Sequence, residues 1–233
     1  MVHPSGAGLA LFLAVVGFCL VCWVAAVVAT APSTDRVRQG AVAAGVSVAW
    51  VAITSIPTGA GLITPENALP GAPLLMGTMF LVSVGVVGSP LGRRIAHGLP
   101  LWALVGVQGM RFPLELVLHR WAEEGVAPPQ MTWTGQNVDI VAGLVCLALA
   151  PFADRSRAAA WASQVVGIAL LANVLRVVVL SLPTPLRSFE VPLMLPFSLP
   201  AVWIATVCVA TAVMAHGLVL RRLLGAADPT TAG

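Results

Sequence analysis

Long apolar runs, separated by short polar segments, make up most of the chain. A helix needs about 20 predominantly apolar residues to cross the hydrocarbon core of a bilayer. Runs of that length, poor in charged side chains, recur along the sequence, and we interpret each one as a transmembrane helix. The pattern predicts seven such helices, near residues 7–31, 40–63, 72–92, 98–119, 134–153, 158–181 and 198–220.

The segments between these runs are short and contain residues that end helices. Residues 92–97 separate the third run from the fourth, which predicts a tight antiparallel turn. Proline and glycine cluster at other boundaries, at 64–73, 127–129 and 183–200. We find no internal repeat and no soluble domain in the sequence. It therefore predicts one all-α domain over residues 1–225, a polytopic transmembrane helix bundle, followed by a disordered tail at 226–233.

The placement of arginine predicts the orientation of this bundle, because cytoplasmic loops of membrane proteins carry an excess of positive charge. The second, fourth and sixth predicted loops hold two arginines between them, Arg120 and Arg187. The other loops and the segment after the last helix hold eight, at positions 36, 38, 93, 94, 155, 157, 221 and 222. The amino terminus is therefore predicted outside and the carboxyl terminus in the cytoplasm.

Composition supports lipid as the main solvent. Of the 233 residues, 58% are apolar and 9% are charged, against about 25% charged in a typical soluble domain. The net charge of +3 comes from arginine, since the chain has no lysine, and this excludes Schiff-base chemistry on a lysine. The cysteines lie in apolar runs without the spacing of a disulfide framework or zinc site, so we interpret them as buried structural residues.

Charged and amide side chains concentrate in one layer of the predicted bundle. The fourth helix runs outward, so a rise of 1.5 Å per residue places Arg111 roughly 20 Å from the cytoplasmic side. Glu115 and His119 follow Arg111 on the same helical face. The fifth and sixth helices bring more polar residues to the outer half. The candidate site residues are Arg111, Glu115, His119, Asn137, Asp139, Asn173 and Arg176.

Two interpretations of this layer compete. In the first, Arg111 and Arg176 pair with Glu115 and Asp139 only to hold helices together, as in a structural or assembly factor. In the second, the layer lines an outward-open pocket that binds or transforms a small or lipidic molecule, because ionisable groups in lipid usually face a cavity. That pocket would lie between the fourth, fifth and sixth helices, with no continuous path to the cytoplasm. A small-solute transporter is a further alternative, although no repeat supports it.

The same residues bear on metals and partners. Glu115, His119 and Asp139 are of the residue types that bind zinc, but no H-x-x-x-H or H-E-x-x-H pair accompanies them, and we predict no metal site. The pattern indicates no particular cofactor and no particular oligomeric state. We expect membrane lipid as a partner, together with a small-molecule or lipid ligand, and no nucleic acid.

Residues from Gln108 onward resemble a widespread family of bacterial multi-pass membrane proteins to which no activity is assigned. The match is carried by the segment 111–116 (RFPLEL), by Met131-Thr132, and by Gly135-x-Asn137-x-Asp139-Ile140. Ser181 with the prolines after it, and the His216 segment running into Arg221-Arg222, complete it. The resemblance implies a bacterial plasma membrane location and a polar layer typical of the family.

The segment 171–176, with Asn173 and Arg176, looks like the N-x-x-R helix of exosortases and archaeosortases. Those enzymes are membrane transpeptidases that use cysteine, arginine and histidine on the outer side, so an exosortase-like transpeptidase is another alternative. Their nucleophile stands between Glu-Ala and Ser-Gly, and no cysteine here does. Cys146 lies roughly 18 Å deep in its predicted helix, whereas Arg176 is about 8 Å from the outer surface.

Overall fold

The computed structural model describes residues 4–225, and over that range helices joined by turns and loops make up the chain, without strands. The predicted disordered tail at 226–233 lies outside the described residues. Short 3-10 segments link several of the helices. The helices are α1 (Gly6–Thr30), α2 (Arg36–Gly59), α3 (Ala68–Gly88), α4 (Pro90–Gly98), α5 (Leu101–Gly106), α6 (Arg111–Glu123), α7 (Ile140–Leu149), α8 (Arg157–Ser181) and α9 (Ala210–Gly225).

Six helical segments of the described chain are long and apolar enough to cross a membrane. The fourth of them, Leu101–Glu123, joins α5 to α6 through the 3-10 turn Val107–Met110. The last joins α9 to a preceding π-helical segment, Ile204–Val209. Exposed apolar side chains cover α2, α3 and the outer face of α8, a surface suited to contact with lipid. The six segments are Gly6–Thr30, Ser33–Gly59, Pro65–Gly88, Leu101–Glu123, Arg157–Ser181 and Ile204–Gly225.

The predicted helix over 134–153 is wrong in its first part, because helical structure begins only at Ile140 and ends at Phe152. Before it, the chain forms turns held by polar side chains. The Thr132 hydroxyl donates to the Pro129 carbonyl at 2.9 Å, and the Asn137 side chain donates to the Met131 carbonyl at 3.1 Å. Such local bonds compete with helix formation. The apolar helix is therefore shorter than the six spanning segments.

Residues 92–97, predicted to be a tight turn, belong instead to the short helix α4. Its sequence begins with a strong start signal, since Ser89 accepts a hydrogen bond from the Gly92 backbone at 3.1 Å and Pro90 stands at the first helical position. Ile95 and Ala96 are buried against the rest of the bundle. Helix α4 therefore packs along one end of the bundle rather than simply reversing the chain.

Three arginines tie the chain together at that same end. Arg221 donates to the Val87 and Ser89 carbonyls, and Arg222 donates to the Leu99 carbonyl. Arg157 donates to the Leu223 carbonyl at 2.8 Å. Carbonyl oxygens at the ends of helices lack partners within the helix, and these guanidinium groups supply them. Arg157, Arg221 and Arg222, which the sequence predicts on one side of the membrane, thus lie at one end of the bundle. We call it the arginine end.

Helix α2 is attached to the π-helical segment by two tryptophans. Trp50 donates from its indole nitrogen to the Thr206 carbonyl at 2.8 Å, and Trp203 donates to the Ser55 hydroxyl at 2.9 Å. A π-helical turn inserts one residue into an otherwise regular helix, and such turns are frequent at functional sites. This segment forms one wall of the cavity described below.

Candidate functional site

An ion pair between Arg111 and Asp139 lies at the centre of the bundle. The guanidinium Nε is 2.5 Å from one carboxylate oxygen of Asp139, and the Nη2 nitrogen contacts the other. Both side chains are buried, Arg111 to 1% exposure and Asp139 to 6%. A two-point pairing of this kind fixes orientation as well as distance. It joins α6 to the residue just before α7.

The close approach of these helices is possible because Gly143 has no side chain. A Cβ atom at Gly143 would lie 2.5 Å from the Phe112 backbone nitrogen, closer than real contacts allow. Phe112 directly follows Arg111, so the glycine sets the spacing at the level of the ion pair. The geometry of the Arg111–Asp139 pair therefore depends on a glycine on the neighbouring helix.

A second pair of side chains, Glu115 and Asn137, lies one helical turn along α6. The Asn137 amide donates to Oε1 of Glu115 at 2.7 Å and to the Met131 carbonyl at 3.1 Å. Its own oxygen accepts from the Asp139 backbone at 3.3 Å. Oε2 of Glu115 is buried and has no hydrogen-bond partner in the described chain. One carboxylate oxygen of Glu115 therefore accepts a hydrogen bond, and the other accepts none.

Three residues outside the predicted set complete the environment of Arg111. Its Nη1 nitrogen donates to the Gly167 carbonyl at 2.9 Å and lies 3.5 Å from Nε2 of His216. The other ring nitrogen of His216 is 2.9 Å from the Gln164 side-chain oxygen. Gly167 leaves room for the imidazole, since a Cβ there would overlap it. In the sequence, His216 entered only through the family resemblance, and nothing in its spacing connected it to Arg111.

Beside these groups is a cavity of about 60 Å³ with apolar walls. Arg111, Glu115, Asn137 and Asp139 supply its polar surface. The walls come from α3, α6, α8 and the π-helical segment. Loop residues 193–196 also line the cavity, on the side opposite the arginine end. The pocket was predicted between the fourth, fifth and sixth helices, whereas this cavity is lined by α6, α8, α3, the last helix and the turns before α7, and by no residue of α7 itself. We call this space the α3–α8 cavity.

The cavity reaches the surface of the bundle between α3 and α8. Each of these helices packs against α9, but they do not pack extensively against each other. Leu75 and Met76 of α3 and Leu175 and Val178 of α8 line the cavity and are partly exposed. The surrounding surface of α3 is apolar, with Leu74 and Leu81 largely exposed. The opening therefore faces sideways, through the wall of the bundle.

The other three predicted site residues lie elsewhere. His119 stacks on Trp133 with ring centroids 4.0 Å apart, and its Nε2 is 3.8 Å from a Glu123 carboxylate oxygen. Arg176 is exposed and donates to the Asn173 side chain at 3.0 Å, and Asn173 donates to the Gln136 carbonyl at 2.8 Å. Neither Asn173 nor Arg176 lines the α3–α8 cavity. The predicted pairing of Arg176 with a carboxylate is not formed among the described residues.

The metal and transpeptidase alternatives can be compared with the same geometry. Over residues 4–225, no three His, Cys, Asp or Glu side chains are grouped in a way that holds a metal ion, and His119 contacts Trp133 and Glu123. Cys146 is fully buried against Leu104 and Val105, while Arg176 is exposed. Cys146 and Arg176 are therefore not placed together as a cysteine–arginine active site would require.

No protein-family model, curated protein or solved structure matches this chain. The two resemblances drawn from the sequence stay predictions. The features of the site that bear on function are the buried ion pair, the unpartnered carboxylate oxygen and the lateral cavity.

Proposed function

We propose that the chain is a multi-pass protein of a bacterial plasma membrane, with its amino terminus outside. Six apolar helices of spanning length support insertion into a membrane. The shorter apolar helix Ile140–Phe152 makes the seventh crossing, since Asp154 after it accepts hydrogen bonds from the backbone at the start of α5, and an odd number of crossings places the two termini on opposite sides. The convergence of Arg157, Arg221 and Arg222 on one end supports the orientation, because the cytoplasmic side of membrane proteins carries the excess of positive charge. The resemblance of residues 108 onward to a bacterial membrane family supports the location. On this orientation the α3–α8 cavity lies in the outer half of the bilayer.

This topology makes a direct prediction. Reporter fusions at Pro70 and Pro128 are expected to give an external signal, measured as alkaline phosphatase activity. A fusion at Arg94 is expected to give a cytoplasmic signal, measured as green fluorescence. The reciprocal reporter at each position serves as the control. Cytoplasmic fluorescence at Pro128 would contradict both the orientation and the number of crossings between α6 and α7.

Within the membrane, the α3–α8 cavity binds an amphipathic small molecule or lipid. The observation that carries this proposal is an apolar cavity, open sideways between two helices, with an unpartnered carboxylate oxygen inside it. An opening toward the acyl chains admits a molecule that is already dissolved in the bilayer. Glu115 suits the polar head of such a molecule, and the apolar walls suit its first carbons, because a cavity of about 60 Å³ leaves the rest of the chain in the opening and the bilayer. Burial of a polar atom without a partner is costly, so a ligand that satisfies it gains affinity.

Filling the cavity tests this binding function. Ala205 of the π-helical segment lines the cavity, and a phenylalanine there would occupy the space a ligand chain needs. Purified protein in nanodiscs is irradiated with a twelve-carbon alcohol that carries a diazirine, and labelled peptides are mapped by mass spectrometry. Labelling of Leu75, Met76 and Leu175 is expected in the wild type. Labelling is expected to fall about tenfold in Ala205→Phe, because a loss of about 1.4 kcal/mol of binding free energy lowers the affinity tenfold.

Ala172→Phe is the matched control, since Ala172 is exposed on α8 and does not line the cavity. Its labelling pattern is expected to equal that of the wild type. Equal labelling of all three proteins at these positions would mean that the probe reports general contact with lipid. That result would remove the cavity as a binding site and leave the polar layer with a structural role.

A further inference from the structure

The charged groups around Glu115 do not balance. Arg111 carries one positive charge and is paired with Asp139 on the segment before α7. His216 of α9 contacts Arg111 rather than Glu115, and α8 presents Gln164 and the Gly167 carbonyl, which are uncharged. Helices α1 and α3 carry no charged side chain. Cys208 is the other titratable side chain that lines the cavity, and no further ionisable group of the described residues lines it. An ionised Glu115 would therefore leave one negative charge uncompensated in the interior.

The hydrogen-bond donors nearby are directed to other groups. Asn137 donates one amide hydrogen to Oε1 of Glu115 and the other to the Met131 carbonyl. Arg111 directs four of its five N–H groups to Asp139, Gly167 and His216, and none of its nitrogens bonds to Oε2 of Glu115. The unpartnered oxygen Oε2 thus needs a donor from outside the protein. Because Oε1 accepts from Asn137, a proton on the carboxyl group sits on Oε2, the oxygen without a partner.

We propose that Glu115 is the head-group subsite of the α3–α8 cavity, and that it holds either a proton or the ammonium group of a single-chain amphiphilic amine. This inference rests on the proposed binding function and adds the chemical class of the ligand. A cation is required because a neutral head group supplies a hydrogen bond but no countercharge, and a buried charge is stable only when it is paired. An ammonium group supplies both, through a charge-assisted hydrogen bond.

The exchange conserves charge and atoms. Without a cationic partner, the carboxyl group keeps its proton on Oε2. An alkylammonium ion enters between α3 and α8, its N–H donates to Oε2, and the proton leaves to water. One proton is released for each amine bound, and no covalent bond other than the carboxyl O–H is broken. Lowering the pH therefore weakens amine binding, because proton and amine compete for one group.

Dodecylamine and dodecan-1-ol are matched probes, since they share one chain and differ in the head group. Each is added to purified protein in weakly buffered nanodiscs of zwitterionic lipid near neutral pH. A pH indicator measures proton release, and isothermal calorimetry measures binding. Dodecylamine, charged because alkylamines titrate near pH 10, is expected to release one proton per bound molecule. Its affinity is expected to fall about tenfold per pH unit on acidification. Dodecanol is expected to bind without releasing protons.

Glu115→Gln keeps the oxygen that accepts from Asn137 and removes the charge. It is expected to bind dodecanol as the wild type does, to bind dodecylamine about tenfold more weakly or worse, and to release no proton. Glu123→Gln is the matched control, a neutral substitution at an exposed position of the same helix, and is expected to behave as the wild type. Unchanged dodecanol binding also shows that the Glu115→Gln cavity is intact.

The outcomes separate the two proposals. Equal binding of amine and alcohol without proton release overturns the head-group assignment and leaves the cavity as a site for neutral amphiphiles. Proton release that persists in Glu115→Gln assigns the exchange to another group and also overturns it. Failure of the wild-type protein to bind either probe removes the binding function itself, and the head-group assignment falls with it.

Discussion

Asp139→Ala is expected to lower the free energy of unfolding by about 3–5 kcal/mol, the largest effect of any single substitution considered for this chain. The loss follows from leaving the Arg111 guanidinium in the interior without its countercharge. Thermal unfolding in nanodiscs measures it, together with the yield of folded protein. If Asp139→Ala proves too unstable to purify, Asp139→Asn keeps the shape and a hydrogen bond, and is expected to give a smaller loss in the same direction.

The exposed pair Arg38–Asp35, at 3.6 Å, is the matched control. Removing the carboxylate there by Asp35→Ala is expected to cost less than about 1 kcal/mol, because exposed ion pairs are screened by water. The double variant Arg111→Met, Asp139→Leu is expected to recover much of the loss, since no unpaired charge stays buried. An equal loss of unfolding free energy in Asp35→Ala and Asp139→Ala would mean that the Arg111–Asp139 pair is accessible to water.

Gly143→Ala is the second substitution with a large expected effect. Its methyl group would lie 2.5 Å from the Phe112 backbone nitrogen, so α6 and α7 must separate. Overpacking of this kind costs about 1–3 kcal/mol. Separation also moves Asp139 away from Arg111, which weakens the ion pair. The unfolding free energy in nanodiscs is expected to fall by at least about 2 kcal/mol, given both contributions.

Gly45→Ala gives the opposite expectation. Gly45 lies within α2, and nothing stands within 4 Å of the position its Cβ would take. Alanine is favoured over glycine inside a helix by about 0.5–1 kcal/mol, so stability is expected to rise slightly. Opposite signs for the same chemical change would show that contact between α6 and α7, and not helix propensity, determines the cost at Gly143. A stable Gly143→Ala protein would contradict that contact.

The sequence was most informative where length and hydrophobicity alone decide the structure. The beginnings and ends of α1, α3 and α8 fall within a few residues of the predicted runs, because an uninterrupted apolar segment of that length has few alternatives to a helix. The run before α7 was misjudged for a local reason. Thr132 and Asn137 bond to nearby backbone groups, and those turns take the place of the first helical turns.

The candidate site was predicted in part. Arg111 and Glu115 share one helical face by spacing alone, and their placement beside Asn137 and Asp139 matches the polar layer expected from helix depth. Depth does not determine which face of a neighbouring helix points inward. For that reason Arg176, at a suitable depth on α8, lies on the exposed face, while His216 reaches Arg111 from α9. Contacts between helices depend on rotation, which an apolar run with little periodicity does not encode.

The π-helical turn at Ile204–Val209 precedes α9 in the last spanning helix and changes which residues of that helix share one face. Ala205, within the π-helical segment, lines the cavity, while His216, further along in α9, contacts Arg111. A regular helix would couple these two positions through a fixed angle of about 100° per residue. The π-helical segment changes that angle, because its extra residue rotates the faces of α9 relative to the residues before it. Insertions or deletions within this turn are thus a route by which related chains would acquire different ligands around one unchanged ion pair.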